Sequence, residues 1–213
     1  MTVADVALLA TRSQGKLREL RPLFANAGID LITLDEAGVI ETEAEDALEV
    51  FESFEENALA KARYFHELTG RPAFADDSGI AVEFLGGAPG VRSKRWSGRT
   101  DLVGQALDDE NNRLLLGRLS GATNRRAQYV CAAAFVDGAH SLVERGVVSG
   151  RIIDEPRGAN GFGYDPFFFS DELGCTFGEA TRADKETVSH RGRAFRALLG
   201  AIRAGARASK KAH

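Results

Sequence analysis

The beginning of the chain constrains the fold most, because residues 6–34 have the pattern of a strand, a loop, a helix and a second strand. Val6–Ala10 is a short apolar run that favours a buried strand. Leucines and a phenylalanine then recur at three- and four-residue intervals up to Gly28, which predicts an amphipathic helix. Residues 29–34 favour the next strand. A unit of this kind builds a sheet covered by helices, so we predict an α/β fold.

The following segments continue this alternation. Ser53 followed by Glu56 has the pattern of a helix-capping box, and the helix that it predicts ends at Gly70. Two short strands are predicted at Ala73–Ala75 and Ile80–Phe84.

The second half of the chain also favours a mixture of strands and helices. A helix is predicted over Asp109–Leu119. The runs Ala127–Val136 and Ser141–Arg145 favour a strand pair joined by a turn at Asp137-Gly138, and Gly150–Ile153 favours a further strand.

Composition excludes several classes of function. A chain of 213 residues that is 44% apolar can bury a core without disulfides. Its two cysteines form neither a disulfide framework nor a zinc site, which favours the cytoplasm. The formal net charge of −4 argues against a nucleic-acid polymer as partner, and the lack of a long apolar run argues against a membrane. No linker is evident, so we predict one domain over residues 1–205 and a disordered basic tail over 206–213.

A first polar segment lies between the first predicted strand and helix. It consists of Thr11, Arg12, Ser13, Gln14, Gly15 and Lys16. Free backbone N–H groups and the helix dipole favour phosphate at such a position. The segment is not a GxxxxGK[ST] motif, so an ordinary strand-to-helix loop is the alternative.

Asp76, Asp77 and Ser78 lie at the end of a predicted strand. Mg²⁺ prefers oxygen ligands and usually takes one or two carboxylates together with phosphate oxygens. Consecutive side chains of an extended chain point to opposite faces, so we expect only one of the two acids to face a substrate. An Asx-type turn is the alternative, since Asp, Ser and Gly are turn-forming residues.

Glu49 and one face of the following helix form a third candidate. Glu49 precedes the helix and could reach a metal, while Asn57 and Lys61 are four residues apart and share a polar helix face. A solvated acidic loop and helix face are the alternative.

Two further segments suit a base rather than a phosphate. In the glycine-rich stretch Gly158–Pro166, Phe162 and Tyr164 offer flat surfaces for stacking, Gly163 allows close approach, and Asp165 can accept a hydrogen bond. A glycine-rich surface loop with core aromatics is the alternative.

The second of these segments is basic. Lys185, His190 and Arg191 supply hydrogen-bond donors for an oxygen-rich partner. Ser189 is the predicted N-cap of the last helix, at whose start His190 and Arg191 lie.

Together and in this order, the segments resemble the inosine triphosphate pyrophosphatase family, also called XTP/dITP diphosphatases. The resemblance covers most of residues 6–202 and is weakest at about 101–148. Ser13 stands where the family usually has Asn, and Val50-Phe51 stands where Thr-Gly is common. The matching segments are LATRSQGK, SFEENALAKA, ADDSGIAVEFLGGAPGVRSKRWSG, PRGANGFGYDPFF and DKETVSHRGRAFRALL.

This resemblance implies a mixed central sheet flanked by helices, with two lobes and the active site in the cleft between them. It also implies a homodimer, a requirement for Mg²⁺, and hydrolysis of ITP, dITP and XTP to the monophosphate and pyrophosphate. Such an enzyme would cleanse the nucleotide pool of non-standard purines.

The resemblance also implies roles for individual residues. Thr11–Lys16 would hold the triphosphate, Glu49 and Asp77 would hold the metal, and Asp77 would also activate water. Ser78 would contact the substrate. The base pocket would be formed by Phe162, Gly163, Tyr164, Asp165, Lys185, His190 and Arg191. The supporting residues would be Asn57, Lys61 and Asp76.

Two other functions are compatible with parts of the sequence. One is a Maf-like nucleotide pyrophosphatase acting on modified pyrimidines or dTTP, but the SHR and GFGYDP segments argue against it. A non-catalytic nucleotide-binding module would keep the basic and aromatic pocket, but it would not need the metal-binding acids.

Overall fold

The computed structural model of the protein describes residues 6–211, except for the side chains of residues 46 and 206–211. Within the described range, the chain forms seven strands and five α-helices. The strands are β1 (Val6–Leu9), β2 (Asp30–Ile32), β3 (Ala73–Val82), β4 (Arg126–Val136), β5 (Ser141–Ile152), β6 (Phe168–Ser170) and β7 (Cys175–Thr176). The helices are α1 (Gln14–Asn26), α2 (Phe54–Thr69), α3 (Gly104–Arg118), α4 (Arg182–Val188) and α5 (His190–Lys211).

The strands form one mixed sheet in the order β2-β1-β3-β4-β5-β6-β7. Strand β1 pairs in parallel with both β2 and β3, as expected for strands joined through helices. Strand β6 pairs antiparallel with both β5 and β7. The predicted α/β fold with a mixed sheet flanked by helices is therefore confirmed.

The chain divides into two compact units. The first contains the residues up to Asp77, Cys131–Gly146 and the residues from Arg191 onward, and the second contains Ser78–Val130 and Val147–His190. Strands β3, β4 and β5 consequently contribute residues to each unit.

Aromatic rings dominate the core of the first unit. The ring of Phe24, on the buried face of α1, meets the ring of Phe74 edge-on at 4.7 Å between centroids. Phe195 of α5 packs against the same Phe24 ring at 5.5 Å. The periodic apolar stripes predicted for the first and last helices therefore face one core.

The second unit has its own core, which includes Tyr129 and Phe168. Their ring centroids are 4.7 Å apart, and Phe177 packs against both rings. Leu115 and Leu119, at the end of α3, are fully buried in this core.

The prediction of two short strands on either side of Asp76–Gly79 is wrong, because β3 runs without interruption from Ala73 to Val82. A Cβ atom at Gly79 would lie 2.3 Å from the Gly90 oxygen and 2.4 Å from Ser93 Oγ, so only glycine allows this close packing. The Ile80 N–H also donates to Ser93 Oγ at 2.8 Å. These contacts hold turn-forming residues in an extended strand, which removes the Asx-turn alternative.

Strand β5 also differs from the sequence analysis. It is continuous over Ser141–Ile152, where two separate strands were predicted. From Arg145 to Ile152, buried residues alternate with exposed or half-buried ones, and this period of two fits a strand with one covered face.

The last two helices begin and end differently from the prediction. Ser189 is the C-cap of α4, a helix missed in the sequence, and Thr181 caps its start by accepting a hydrogen bond from Asp184 N–H. Ser189, which was predicted to cap the start of α5, therefore ends α4 instead.

Helix α5 continues to Lys211, into the segment 206–213 that was expected to be a disordered tail. Alanine, lysine and arginine are strong helix formers, which accounts for this continuation. Residues 212–213 lie outside the described residues.

No helix within the described residues is long and apolar enough to cross a membrane.

Candidate active site

In the first unit, the predicted phosphate loop leads directly into helix α1. Ser13 is the N-cap of this helix, and its hydroxyl accepts a hydrogen bond of 3.4 Å from the Lys16 N–H. The Ser13 N–H in turn donates to the Thr11 hydroxyl at 3.1 Å. Gln14 is exposed and Gly15 is buried. The loop thus lies at a helix N-terminus, where backbone N–H groups and the helix dipole favour an anion.

Arg12 is engaged by the acidic segment that follows β2. Its guanidinium lies 2.7 Å from the Glu45 carboxylate and 3.0 Å from that of Asp35, and it donates to the Val39 oxygen at 3.1 Å. The hydrogen bond to Glu45 raises the pKa of Arg12. These contacts fasten residues 35–45 to the loop, and the expected role of Arg12 in holding phosphate stays a prediction.

Asp76 is fully buried on β3 and has two cationic partners. Its Oδ2 atom lies 3.0 Å from Lys16 Nζ and 3.1 Å from Arg191 Nε. Burial raises the pKa of this carboxyl group, but Lys16, Arg191 and Lys61 lower it by more. The net pKa lies well below the ordinary value for aspartate, so Asp76 is ionised and its charge is balanced by neighbours.

Asp77, the next residue of the strand, has a different environment. It is 5% exposed, and one of its carboxylate oxygens accepts a hydrogen bond of 2.9 Å from Asn57 Nδ2. Burial raises the pKa of Asp77, Lys61 and Lys16 lower it in part, and the Glu49 carboxylate raises it again. Its pKa is therefore above the ordinary value, whereas that of Asp76 is below it.

Lys61 lies one helical turn after Asn57 on α2 and reaches the same segment of β3. Its ammonium group contacts the Glu49 carboxylate and donates to the Asp76 main-chain oxygen at 3.0 Å. Burial lowers the pKa of Lys61, but the Glu49, Asp76 and Asp77 carboxylates raise it by more. We call Lys16, Glu49, Asn57, Lys61, Asp76, Asp77 and Arg191 the carboxylate cluster.

Asp77 and Glu49 are the two acids of the carboxylate cluster that could hold a magnesium ion. Asp76 is already neutralised by Lys16 and Arg191, which leaves Asp77 and Glu49 as the carboxylates that repel one another. Within residues 6–211, no three His, Cys, Asp or Glu side chains are placed together so as to hold a metal ion. Mg²⁺ needs only one or two carboxylates when a substrate supplies phosphate oxygens, so this donor set suits it.

In the second unit, Lys185 and Asp165 form a buried ion pair. Lys185 Nζ lies 2.6 Å from Asp165 Oδ2, and both side chains are less than 10% exposed. The same ammonium group lies 5.4 Å from the centre of the Phe162 ring and 5.3 Å from that of Phe177, within the range of a cation–π contact. Three candidates from the sequence, Phe162, Asp165 and Lys185, are thus brought together.

His190 lies flat against Tyr129. Their rings are 4.5 Å apart and inclined by 5°, and Phe177 is stacked on the same tyrosine at 5.8 Å. His190 is buried, so this stack fixes the plane of its imidazole ring. Ser78, the remaining substrate-binding candidate of this unit, is a half-buried residue of β3. We call Tyr129, Phe162, Asp165, Phe177, Lys185 and His190 the aromatic cluster.

Gly163 and Tyr164 are held by other parts of the second unit. The Gly163 N–H donates to Asp108 Oδ2 at 2.9 Å, and the Gly163 oxygen accepts from Asn112 Nδ2 at 3.0 Å. The Tyr164 hydroxyl donates to the Ser93 main-chain oxygen at 2.8 Å. Tyr164 is buried, so it does not offer the exposed stacking surface that the sequence suggested.

Arg191 was expected beside His190 in a base pocket, but its contacts differ. Its guanidinium binds Asp76 and also contacts Glu19 of α1, which belong to the first unit with Arg191 itself. Successive residues of a helix project about 100° apart, so neighbours in sequence need not share partners.

The residues that contact the candidate site and were missed in the sequence include Tyr129, Phe177, Glu19, Asp108 and Asn112. Tyr129 lies in an apolar run and has the pattern of a core residue, and Glu19 is an ordinary polar residue of α1. Asp108 and Asn112 carry a weak signal, because two polar residues four apart share one helix face.

Comparisons with known proteins identify the family of this chain. The model of the Ham1 family matches residues 7–201. A protein named dITP/XTP pyrophosphatase from Frankia alni is 45% identical over 201 residues, which are 92% of this chain and 96% of that protein. One of the same name from Burkholderia pseudomallei is 46% identical over 202 residues, covering 92% and 94% of the two chains.

Solved structures that are similar to this chain point to the same family. The structure of a HAM1 protein from Coxiella burnetii has a TM-score of 0.78 at 35% identity and covers 92% of this chain and 98% of its own. A nucleoside-triphosphatase described as a dITP/XTP pyrophosphatase from Mycobacterium abscessus has a TM-score of 0.69 at 40% identity, with 92% and 99% covered. The family resemblance found in the motifs is confirmed, and the chain belongs to the Ham1 family.

Proposed function

We propose that the protein hydrolyses the non-standard purine nucleoside triphosphates ITP, dITP and XTP, whose bases carry a 6-oxo group, to the monophosphate and pyrophosphate. The observation that carries this proposal is the contrast between two adjacent acids. Asp76 is neutralised by cations, whereas Asp77 is desolvated and has a raised pKa. The relatives' name, dITP/XTP pyrophosphatase, supplies the substrate class.

The proposed cofactor is Mg²⁺, held by Glu49 and Asp77. When bound, the ion would neutralise the negative charge of the phosphate groups.

Asp77 is the proposed general base, which takes the proton of the attacking water. The neighbouring Asp76 is paired with Lys16 and Arg191, so Asp77 is the acid of the two that is left for this role. Asn57 holds the carboxylate in place through its hydrogen bond. Cleavage would fall between the α and β phosphates.

The triphosphate would be held by the loop Thr11–Lys16 and the N-terminus of α1. Lys16 supplies a positive charge, and Asp76 keeps its ammonium group in position. Phosphoryl transfer requires mainly such positioning and electrostatic stabilisation. Arg191 and Lys61 would act through Asp76 and Glu49, the acids they contact.

The base would be bound by the aromatic cluster, with Ser78 as a further substrate contact. Phe162 offers a stacking surface, and Lys185 and His190 can donate to the 6-oxo group of hypoxanthine or xanthine. Adenine carries an amino group there, so donors would face a donor. A site built for a buried hydrogen bond can reject such a partner by as much as ~10⁴-fold.

A nucleotide panel tests this function. The purified protein is incubated with Mg²⁺ and ITP, dITP, XTP, ATP, GTP or dTTP, and pyrophosphate and orthophosphate are measured separately. We expect pyrophosphate from the first three substrates and little turnover with ATP. Orthophosphate alone would refute the proposal, and binding without turnover would indicate a non-catalytic module. The Maf-like alternative, which predicts turnover of dTTP, is not favoured by the family match.

Two changes test the chemistry of the carboxylate cluster. Asp77→Asn should abolish turnover while the protein stays folded, because the amide cannot accept the proton of water. Asp30→Asn, at an exposed aspartate of β2, is the matched control. Removal of Mg²⁺ by a chelator should also stop turnover, and its return should restore it.

We also propose a homodimer, as the family resemblance implies, and a location in the cytoplasm, which the lack of a disulfide framework in the sequence favours. Sedimentation of the pure protein should give about twice the chain mass of 22.9 kDa. A monomer at all concentrations would remove the dimer from the proposal.

A further inference from the structure

We propose that Asp108 and Asn112 of helix α3 are positioning residues for purine recognition, because they fix the loop Phe162–Asp165 at Gly163. The inference rests on the proposed function and assigns a task to a helix that the sequence motifs do not include.

The geometry is that of a two-point clamp. Asp108 Oδ2 accepts from the Gly163 N–H at 2.9 Å, and Asn112 Nδ2 donates to the Gly163 oxygen at 3.0 Å. The two residues are four apart on α3, so they project from the same helix face. One helix face therefore holds both polar groups of a single glycine.

Gly163 needs this restraint. Its φ angle is +64°, in the left-handed region, and a Cβ atom there would meet no other atom within 4 Å. The glycine is required by its backbone conformation and not by close packing. A residue with no side chain and this much conformational freedom is held only through its backbone, and the α3 pair supplies both bonds.

Gly163 lies in the loop between Phe162 and Asp165, the two residues that this loop contributes to the aromatic cluster. The Phe162 N–H donates to Asp165 Oδ2 at 2.8 Å, and the same carboxylate binds Lys185 Nζ at 2.6 Å. A change in the Gly163 backbone would therefore move the Phe162 ring and the acid that holds Lys185. In this way the α3 pair acts on recognition of the base without touching the substrate.

The burial of Asn112 supports a function beyond packing. Asn112 is 5% exposed, and within the described residues its Oδ1 atom has no hydrogen-bond partner. A buried amide with one end unsatisfied costs free energy, so an apolar residue would serve packing better. The neighbouring Asn111 differs, because it donates to the Lys94 oxygen at 3.0 Å and accepts from the Ser97 N–H at 2.8 Å.

The test compares variants of the clamp with neighbours on the same helix. Asp108→Ala and Asn112→Ala each remove one bond to Gly163, and Asp108→Asn keeps an oxygen that can accept from its N–H. Asp109→Asn, at an exposed acid, and Asn111→Ala, at a buried amide that holds another segment, are the controls.

Release of pyrophosphate from ITP and ATP is measured for each variant, together with inhibition by inorganic pyrophosphate. We expect KM for ITP to rise about tenfold in each alanine variant, since a lost hydrogen bond to a buried group has an effect of this order. The value of kcat should change little, and the inhibition constant of pyrophosphate should stay the same, because it engages only the phosphate-binding residues. Asp108→Asn and both controls should keep the KM of the wild-type protein.

Each alternative outcome is distinguishable. An unchanged KM in both folded alanine variants would overturn the inference, and so would an equal loss of ITP and pyrophosphate binding, which marks a general structural role. If Asn112→Ala does not fold, the isosteric Asn112→Asp takes its place. This variant replaces the donor by an oxygen and should show the same rise in KM for ITP. Failure of the wild-type protein to release pyrophosphate from ITP would refute the proposed function itself, before any variant is compared.

Discussion

The side-chain amide of Asn57 donates a hydrogen bond of 2.9 Å to the Asp77 carboxylate. The same amide accepts from the Phe51 N–H at 2.9 Å and donates to the Phe51 oxygen at 3.1 Å. Asn57 is fully buried, so one side chain fixes both the proposed general base and the segment that follows Glu49. In this chain that segment is Val50-Phe51, where the family more often has Thr-Gly.

Asn57→Ala should lower kcat more than it changes substrate binding, because Asp77 loses the bond that holds it. Three hydrogen bonds of a buried amide are lost, so the free energy of unfolding should also fall, by about 1–3 kcal/mol. Steady-state kinetics with ITP and urea unfolding measure the two effects. Asn124→Ala, at an exposed asparagine, is the control, and full activity in Asn57→Ala would contradict the role.

Asp76→Asn should destabilise the protein by about 3–5 kcal/mol, the usual effect of leaving buried cations without their counter-ion. The amide can keep its oxygen toward Lys16 and Arg191, because Asp76 Oδ1 has no partner within the described residues and can be replaced by the amide nitrogen. The loss of stability in Asp76→Asn therefore measures the contribution of the negative charge of Asp76.

The pH dependence of stability checks the same charge. Asp76 has a lower pKa in the folded than in the unfolded chain, so its contribution is present above about pH 3.9 and is lost as the pH falls. The free energy of unfolding, measured with urea at pH 7 and at pH 3, should differ less between the two pH values in Asp76→Asn than in the wild-type protein. Equal differences would show that Asp76 does not carry this contribution.

Lys185→Met should narrow the ratio of kcat/KM between ITP and ATP, because the apolar stem is kept while the donor to the 6-oxo group is lost. The change also leaves Asp165 buried without its ammonium partner, so stability should fall. Asp165→Asn separates the two effects, since it breaks the ion pair and keeps the lysine. An unchanged ratio in folded Lys185→Met would remove Lys185 from recognition of the base.

The raised pKa of the Tyr164 hydroxyl predicts that the protein loses stability at alkaline pH. Burial and the nearby Asp108 raise the pKa of its hydroxyl above the ordinary value, so the folded chain keeps a proton that the unfolded chain releases. Stability is fully present below the unfolded pKa of about 10 and falls above it, by at most about 1.4 kcal/mol per pH unit.

Tyr164→Phe tests this assignment. The variant should be less stable at neutral pH, because the Ser93 oxygen loses its donor. Its stability, measured by urea unfolding between pH 9 and pH 11, should decline less steeply than that of the wild-type protein. The same slope in both proteins would assign the alkaline loss to other groups.

Features that repeat locally could be predicted from the sequence. The buried faces of α1 and α5 follow from apolar residues spaced three and four apart, and the start of α2 follows from the Ser53 cap, which accepts from the Glu56 N–H. The family followed from the order of short motifs. These features depend on neighbours along the chain, so no knowledge of the fold was needed.

Other features depend on residues that are distant in sequence. Arg191 contacts Glu19 from 172 residues away, and Gly163 is held by Asp108 from 55 residues away. The difference between Asp76 and Asp77 has the same origin, since their pKa values depend on burial and on charges that only the folded chain brings close. The sequence alone therefore determined the family, the main helices and the candidate acids. Only the tertiary structure decided which acid is neutralised and which is left to act, because desolvation and charge pairing arise from packing.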